Sequence, residues 1–125
     1  MNGHLDDIAG QRVFLCDEQG PDLSVDRHLS DLIGDLYGSE AGLVAIPLPR
    51  LGPDFLRLSS GIAGHILQKL TNYQLRVAIL GDISKASASS LPLRDFIRET
   101  NQGKTIWFVP DLPALIARLT DKAAR

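Results

Sequence analysis

Ser60, His65 and Asp82 supply the three residue types of a hydrolytic triad, but their spacing works against one. Five residues along a helix turn a side chain by about 500°, or about 140° net, so Ser60 and His65 point apart. Metal chemistry has no better support. His4, His28 and His65 show no i, i+4 pairing and Cys16 has no second cysteine, so a structural zinc site lacks its spacing. Asp6 with Asp7, and Asp31 with Asp35, offer carboxylates that solvated surface charge explains. Cys16 lies beside Asp17 and Glu18, which disfavour a thiolate, and it reads as a small core residue. No glycine-rich phosphate loop of the Walker or dinucleotide type is present. These patterns assign no catalytic residue, no metal and no cofactor.

Two polar groups remain. The first belongs to Phe55 to Tyr73, which runs through Ser59 and Ser60 into an amphipathic helix. Ile62, Ala63, Ile66, Leu67 and Leu70 form the apolar stripe, and Gly61, Gly64, His65, Gln68 and Lys69 the other side. Two glycines cost roughly 1 kcal/mol each against alanine inside a helix, so a strand, a ligand or a partner is expected to approach closely, or the helix start to need unusual backbone angles. Ser59 or Ser60 is first of all an N-cap, and such a helix start can also hold an anion or a phosphorylated side chain. The second group is Glu99 and Asn101 at the end of a later helix with Asp82 and Asn72, and the loop that holds Asp82 also holds Ser84. If Asp82, Glu99, Asn101 and His65 converge, they line the pocket of a small enzyme or ligand-binding protein. Otherwise Asn101 gives its helix a left-handed end and Glu99 pairs with Arg98 or Lys104.

The elements that position these groups alternate along the chain. Leu5 to Ile8 and Arg12 to Cys16 form a hairpin around Ala9-Gly10-Gln11. Ser24 or Asp26 caps a helix that turns Leu29, Leu32, Ile33, Leu36 and Tyr37 inward and ends at Gly38. Leu43 to Ile46 is a buried strand stopped by Pro47, and Leu75 to Leu80 reads as a central strand. Lys85 to Ser90 is a polar loop before a helix with Pro92 in its first turn and Leu93, Phe96 and Ile97 inward, stopped at Asn101-Gln102-Gly103. Thr105 to Val109 is the last strand. Asp111 then caps a helix that turns Leu112, Leu115, Ile116 and Leu119 inward, and the tail from Lys122 frays. The order ββ-α-β-α-β-α-β-α predicts one α/β domain over 1–125, an N-terminal hairpin followed by alternating helices and strands around a mixed four- to five-stranded sheet. In such sheets ligands meet the loops after the strands, here Pro47 to Ser60 and Gly81 to Ser90.

Composition excludes several classes. The 125 residues are 44% hydrophobic and 22% charged, which suits one globular domain with a real core. A net charge of −2 without a lysine- or arginine-rich run argues against binding a nucleic-acid backbone. No apolar run has the length of a membrane helix, the first residues lack the pattern of a signal peptide, and the lone cysteine fits a reducing compartment. The expected location is the cytoplasm.

Leu58-Ser59-Ser60-Gly61-Ile62-Ala63-Gly64 resembles the Asp-Ser-Ser-Gly-Leu-Gly segment of STAS domains, the anti-sigma-factor antagonist and sulfate-transporter fold. The match puts Ser60 at the serine that a partner kinase phosphorylates in the antagonists, Gly61 at its glycine and Ile62 at the following apolar residue. Leu58 stands where those proteins have aspartate. From about Phe55 to Val109 the chain also resembles a bacterial family known only as a domain of unknown function. That likeness rests on Gly61 to Gly64, Ile66 to Lys69, Asn72-Tyr73, Ala78 to Asp82, Ser84, Arg94 to Ile97, Glu99, Asn101, Gly103 and Phe108-Val109, with His65 in place of an acidic residue. The resemblances imply a STAS-like fold and a noncatalytic regulatory or protein-interaction module, with Ser60 as candidate phosphosite. The implied partner is an unidentified protein, a kinase or an anti-sigma-like regulator, with homodimerisation a further option. Its docking face would be Ser59 to Lys69 with the Asp82 to Ser90 loop. The alternative is a small enzyme or ligand-binding protein with a pocket at the strand carboxyl ends.

Overall fold

The structure, a computed structural model, describes residues 2–123. Ala9 and Gly10 both take positive φ (51° and 78°). That is the backbone of the tight two-residue turn whose twist matches its flanking strands. It joins β1 (Gly3–Ile8) to β2 (Gln11–Cys16) in an antiparallel pair with Ile8 opposite Gln11. The chain continues through α1 (Asp26–Leu36), β3 (Leu43–Pro47), α2 (Ile62–Asn72), β4 (Arg76–Leu80), a one-turn α3 (Ser84–Ala88), α4 (Leu91–Gln102), β5 (Ile106–Val109) and α5 (Leu112–Ala123). The expected α/β architecture is present, with five strands and one helix more than the sequence predicts.

The sheet order is β1-β2-β3-β4-β5, parallel from β2 onward. Each crossover steps one strand further in the same direction, and the right-handed rule then puts every intervening helix on one face. Accordingly Leu29 and Leu32 of α1, Ile66 and Leu70 of α2, and Leu93 and Ile97 of α4 share a core with Phe14, Val44, Ile46, Val77, Ile79 and Phe108. No strand follows α5 among the described residues, so that rule does not bind it. It covers the opposite face, where Leu115 and Leu119 meet Val13, Leu15, Ala45, Ala78 and Trp107. Successive residues of Leu43 to Ile46 in β3 and of Val77 to Leu80 in β4 feed alternate cores, which is why these stretches read as unbroken apolar runs. Because the strand order never reverses, the described sheet has no topological switch point, the usual ligand crevice of doubly wound folds.

Several local expectations are corrected. The Lys85 to Ser90 loop is largely helical, because Asp82 Oδ1 accepts the Ser84 N–H (2.9 Å) and starts a turn. Ser24 does not cap α1: its hydroxyl donates to Asp22, the N-cap is Val25, and Asp26 is spent on tertiary contacts. Tyr37 and Ile116 sit at the edges of their helical stripes and are exposed. Asn101 lies inside α4 with no positive φ; its amide Nδ2 donates to the Phe108 carbonyl (3.2 Å) and its Oδ1 accepts the Phe108 N–H (2.6 Å). β5 is an edge strand, so Asn101 occupies backbone groups that would otherwise invite another strand. α5 remains helical to Ala123, and 124–125, part of the tail expected to fray, lie outside the described residues.

Candidate functional site

α2 begins with a left-handed residue. Gly61, at φ 78°, links a 3-10 turn at Leu58–Ser60 to the first helical residue, and it is the N-cap in place of either serine. Ser60 instead ties the turn together: its hydroxyl donates to the Asp54 carbonyl (2.9 Å) and its oxygen accepts the Ile62 N–H (3.2 Å). It is half-buried, whereas Ser59 is exposed.

The polar face of α2 leans on α1. His65 Nε2 lies 3.0 Å from Asp26 Oδ1, and Lys69 Nζ lies 2.8 Å from the same oxygen and 2.7 Å from Ser30 Oγ. A carboxylate oxygen only accepts, so Nε2 carries the hydrogen. The Lys69 hydrogen bond, then that of His65, holds the Asp26 carboxyl below its usual range. Asp26, Gly64, His65, Gln68, Lys69 and Asn72 line one open groove. A Cβ built on Gly61 or on Gly64 would meet nothing within 4 Å. Gly61 is explained by its backbone angle; Gly64 is explained by no contact within the described chain.

The second polar group does not assemble. Asp82 Oδ1 accepts both the hydroxyl (2.6 Å) and the N–H of Ser84, the first of which does most to lower its pKa. Glu99 is exposed, and Arg98 pairs with Asp95 at 3.2 Å instead. Asn101 is committed to β5 and His65 to Asp26, so the groove that His65 lines contains none of Asp82, Glu99 and Asn101. Nor does a hydrogen bond join Ser60, His65 and Asp82, in keeping with their helical spacing. Cys16 is buried, and burial pushes its thiol up to about 12 against the opposing charge of Arg50. Among the described residues no cluster of three His, Cys, Asp or Glu side chains could hold a metal, and no helix is long and apolar enough to cross a membrane.

A feature that sequence reasoning missed lies beyond the carboxyl end of β3. Arg50 is only 4% exposed. Its Nε donates to the Pro21 carbonyl (3.0 Å), and Nη1 donates to the carbonyls of Asp17 (2.9 Å) and Asn2 (3.4 Å). The Arg50 carbonyl in turn accepts the Leu23 N–H (2.8 Å). One residue thus organises the whole segment between β2 and α1. Gly20 gives it room, since a Cβ there would lie 2.8 Å from the guanidinium carbon and Arg50 would have to shift. A lone arginine between Pro49 and Leu51 gives no sequence signal for burial, because its acceptors come from residues 29 to 48 positions away.

The model of the DUF4180 family, a domain of unknown function, matches residues 8–119, and the chain belongs to that family. The match extends well beyond Phe55 to Val109, taking in β2, α1, β3 and most of α5. No curated protein and no solved structure matches the chain.

Proposed function

We propose that this protein is a noncatalytic regulatory module of STAS-like type that binds a protein partner through the exposed face of α2. The reading rests most on Gly64. A helical glycine that costs stability, yet makes room for no group of its own chain, suits the close approach of another molecule. Gln68 and Asn72 flank it in the same groove, and the Asp26–Lys69 and Asp26–His65 links fix the groove's far wall. The Asp82 to Ser90 segment, with Ser84 exposed, extends the docking face in this reading.

Ser60 is the point of control. A phosphoryl group on its oxygen replaces the donor that holds Asp54 with an acceptor, freeing the 54–60 turn and adding negative charge at the start of α2. A kinase or an anti-sigma-like regulator is the kind of partner this chemistry calls for. Intact-mass measurement on protein from its native host, across growth conditions, is expected to show a phosphorylated fraction that Ser60→Ala abolishes; its absence in every condition removes the switch.

Affinity purification with wild-type and Gly64→Leu baits tests the docking face. The substitution adds an exposed side chain to a helix and leaves the fold intact, so a partner recovered with wild type is expected to be lost. Light scattering over a concentration series separates this from homodimerisation.

A further inference from the structure

Beyond the carboxyl end of β3 stands a buried charge that no carboxylate of the described chain pairs with directly. Arg50 is nine-tenths buried and more, and its only acceptors among the described residues are the three backbone carbonyls of Asn2, Asp17 and Pro21, which bear no formal charge. Among the described residues no carboxylate comes within salt-bridge distance, and Nη2 donates to none of them; since no buried side-chain nitrogen lacks a partner, Nη2 is the part of the guanidinium that reaches open space. Burying a guanidinium without a counter-ion is costly, so an anion that reached it would be favoured there. Here the residue lines a cavity of about 240 Å³. Asp31 and Asp35 line the same cavity from α1. They stand at i, i+4 on one helical face, a mutually repulsive spacing, and neither has an ion-pair partner among the described residues. Phe14 and Leu32 give the cavity apolar surface, and His28, whose Nδ1 donates to the Asp22 carbonyl at 3.0 Å, completes the α1 side.

The cavity therefore offers one buried positive group and two exposed negative ones, with hydrocarbon wall besides. We propose that it binds a small zwitterion of the amino-acid class, its carboxylate accepting from Arg50 Nη2 and its ammonium donating to Asp31 and Asp35. A bare phosphate or sulfate fits the Arg50 end but meets two carboxylates at the other. A divalent cation fits the carboxylates but meets the guanidinium. The volume lies below the roughly 300 to 1,000 Å³ of drug-sized sites, which holds the ligand to a few carbon atoms. This site is separate from the α2 face.

The test is calorimetric titration and thermal shift of the full chain with glycine, L-alanine, L-serine, L-leucine, β-alanine and γ-aminobutyrate. Butyrate and butylamine serve as the two halves of γ-aminobutyrate, and inorganic phosphate as the bare oxyanion. At least one zwitterion is expected to bind with Kd below about 1 mM, and the half-molecules and phosphate about tenfold more weakly or worse. Asp31→Asn/Asp35→Asn, two exposed changes that leave the fold alone, is expected to weaken the zwitterion about tenfold while leaving butyrate no weaker than with wild type. Arg50→Lys, which keeps the charge but loses the planar fork, is expected to weaken both. The proposal is overturned if no zwitterion shifts the melting curve at about 10 mM, if phosphate binds as tightly as the best zwitterion, or if the double aspartate variant binds as wild type does. Gly64→Leu, which lies outside this cavity, is expected to bind the zwitterion as wild type does.

Discussion

Replacing Gly64 by alanine should make this protein more stable. Gly64 is the third residue of α2, has no positive φ, is exposed, and has open space where a Cβ would stand. The methyl group therefore meets no resistance, while the unfolded chain loses some of its freedom. In a helix interior the gain is about 0.5–1 kcal/mol, and a first-turn position puts it in the lower half of that range. For a domain of this size that corresponds to a rise in Tm of about 2–3 °C. It also corresponds to a urea midpoint raised by about 0.3 M at an unchanged slope, for a slope near 1.5 kcal/mol/M. Gly61→Ala is the internal control. Its Cβ also meets nothing, but φ is 78°, so alanine there is strained and should cost about 1 kcal/mol. Urea unfolding of the two variants beside wild type gives opposite signs if the reasoning holds. A destabilised Gly64→Ala would refute it, since some group of the chain must then need that space, and the argument for an external partner would lose its basis.

Three further outcomes are expected. Asn101→Ala leaves the N–H and carbonyl of Phe108 without their side-chain partners at the β5 edge, and should lower unfolding stability by about 2 kcal/mol in urea titration; a loss within error would mean that water replaces the amide freely. Asp26 is held below its ordinary 3.8 by Lys69 and then His65. A depressed folded-state pKa stabilises fully above the unfolded value and is lost as pH falls through the folded one. The stability gap between wild type and Asp26→Asn should therefore be present at about pH 5 and shrink below about pH 4, and a gap that widens on acidification contradicts the cross-link. Cys16, buried with its thiol at about 12, should be thiolate on the order of one part in ten thousand at pH 8. Iodoacetamide should then modify it only as fast as the protein unfolds, and labelling at the rate of a free thiol would contradict its burial.

The fold was legible where local chemistry and tertiary demand agree. The chain turns at Gly10 as expected, and Leu43 to Ile46 and Val77 to Leu80 are apolar throughout because both faces of the sheet are covered. Ser90 accepts the Leu93 N–H at the start of α4, where Pro92 points to it. Reading failed where a side chain works at a distance. Asp26 has the position of a cap but reaches across to α2, Asn101 has the composition of a helix stop but reaches across to β5, and Arg50 has the neighbours of a loop residue but is buried under three carbonyls. The candidate site divides in the same way. The exposed side of α2 follows from periodicity alone, and of its residues His65 and Lys69 turn out to be tied to α1 while Gly64 and Gln68 stay open. The grouping of Asp82, Glu99, Asn101 and His65 depended on long-range geometry that no spacing encodes.

The docking face can be probed directly by placing a photo-crosslinking amino acid at Gln68, beside Gly64, and separately at Lys104, an exposed residue in the turn between α4 and β5. After irradiation of the native host cells, position 68 is expected to yield a discrete crosslinked species containing a second protein, and position 104 none. Crosslinks of equal yield and identity from both positions, or none from position 68, would contradict the assignment of the α2 face as the place where this protein meets its partner.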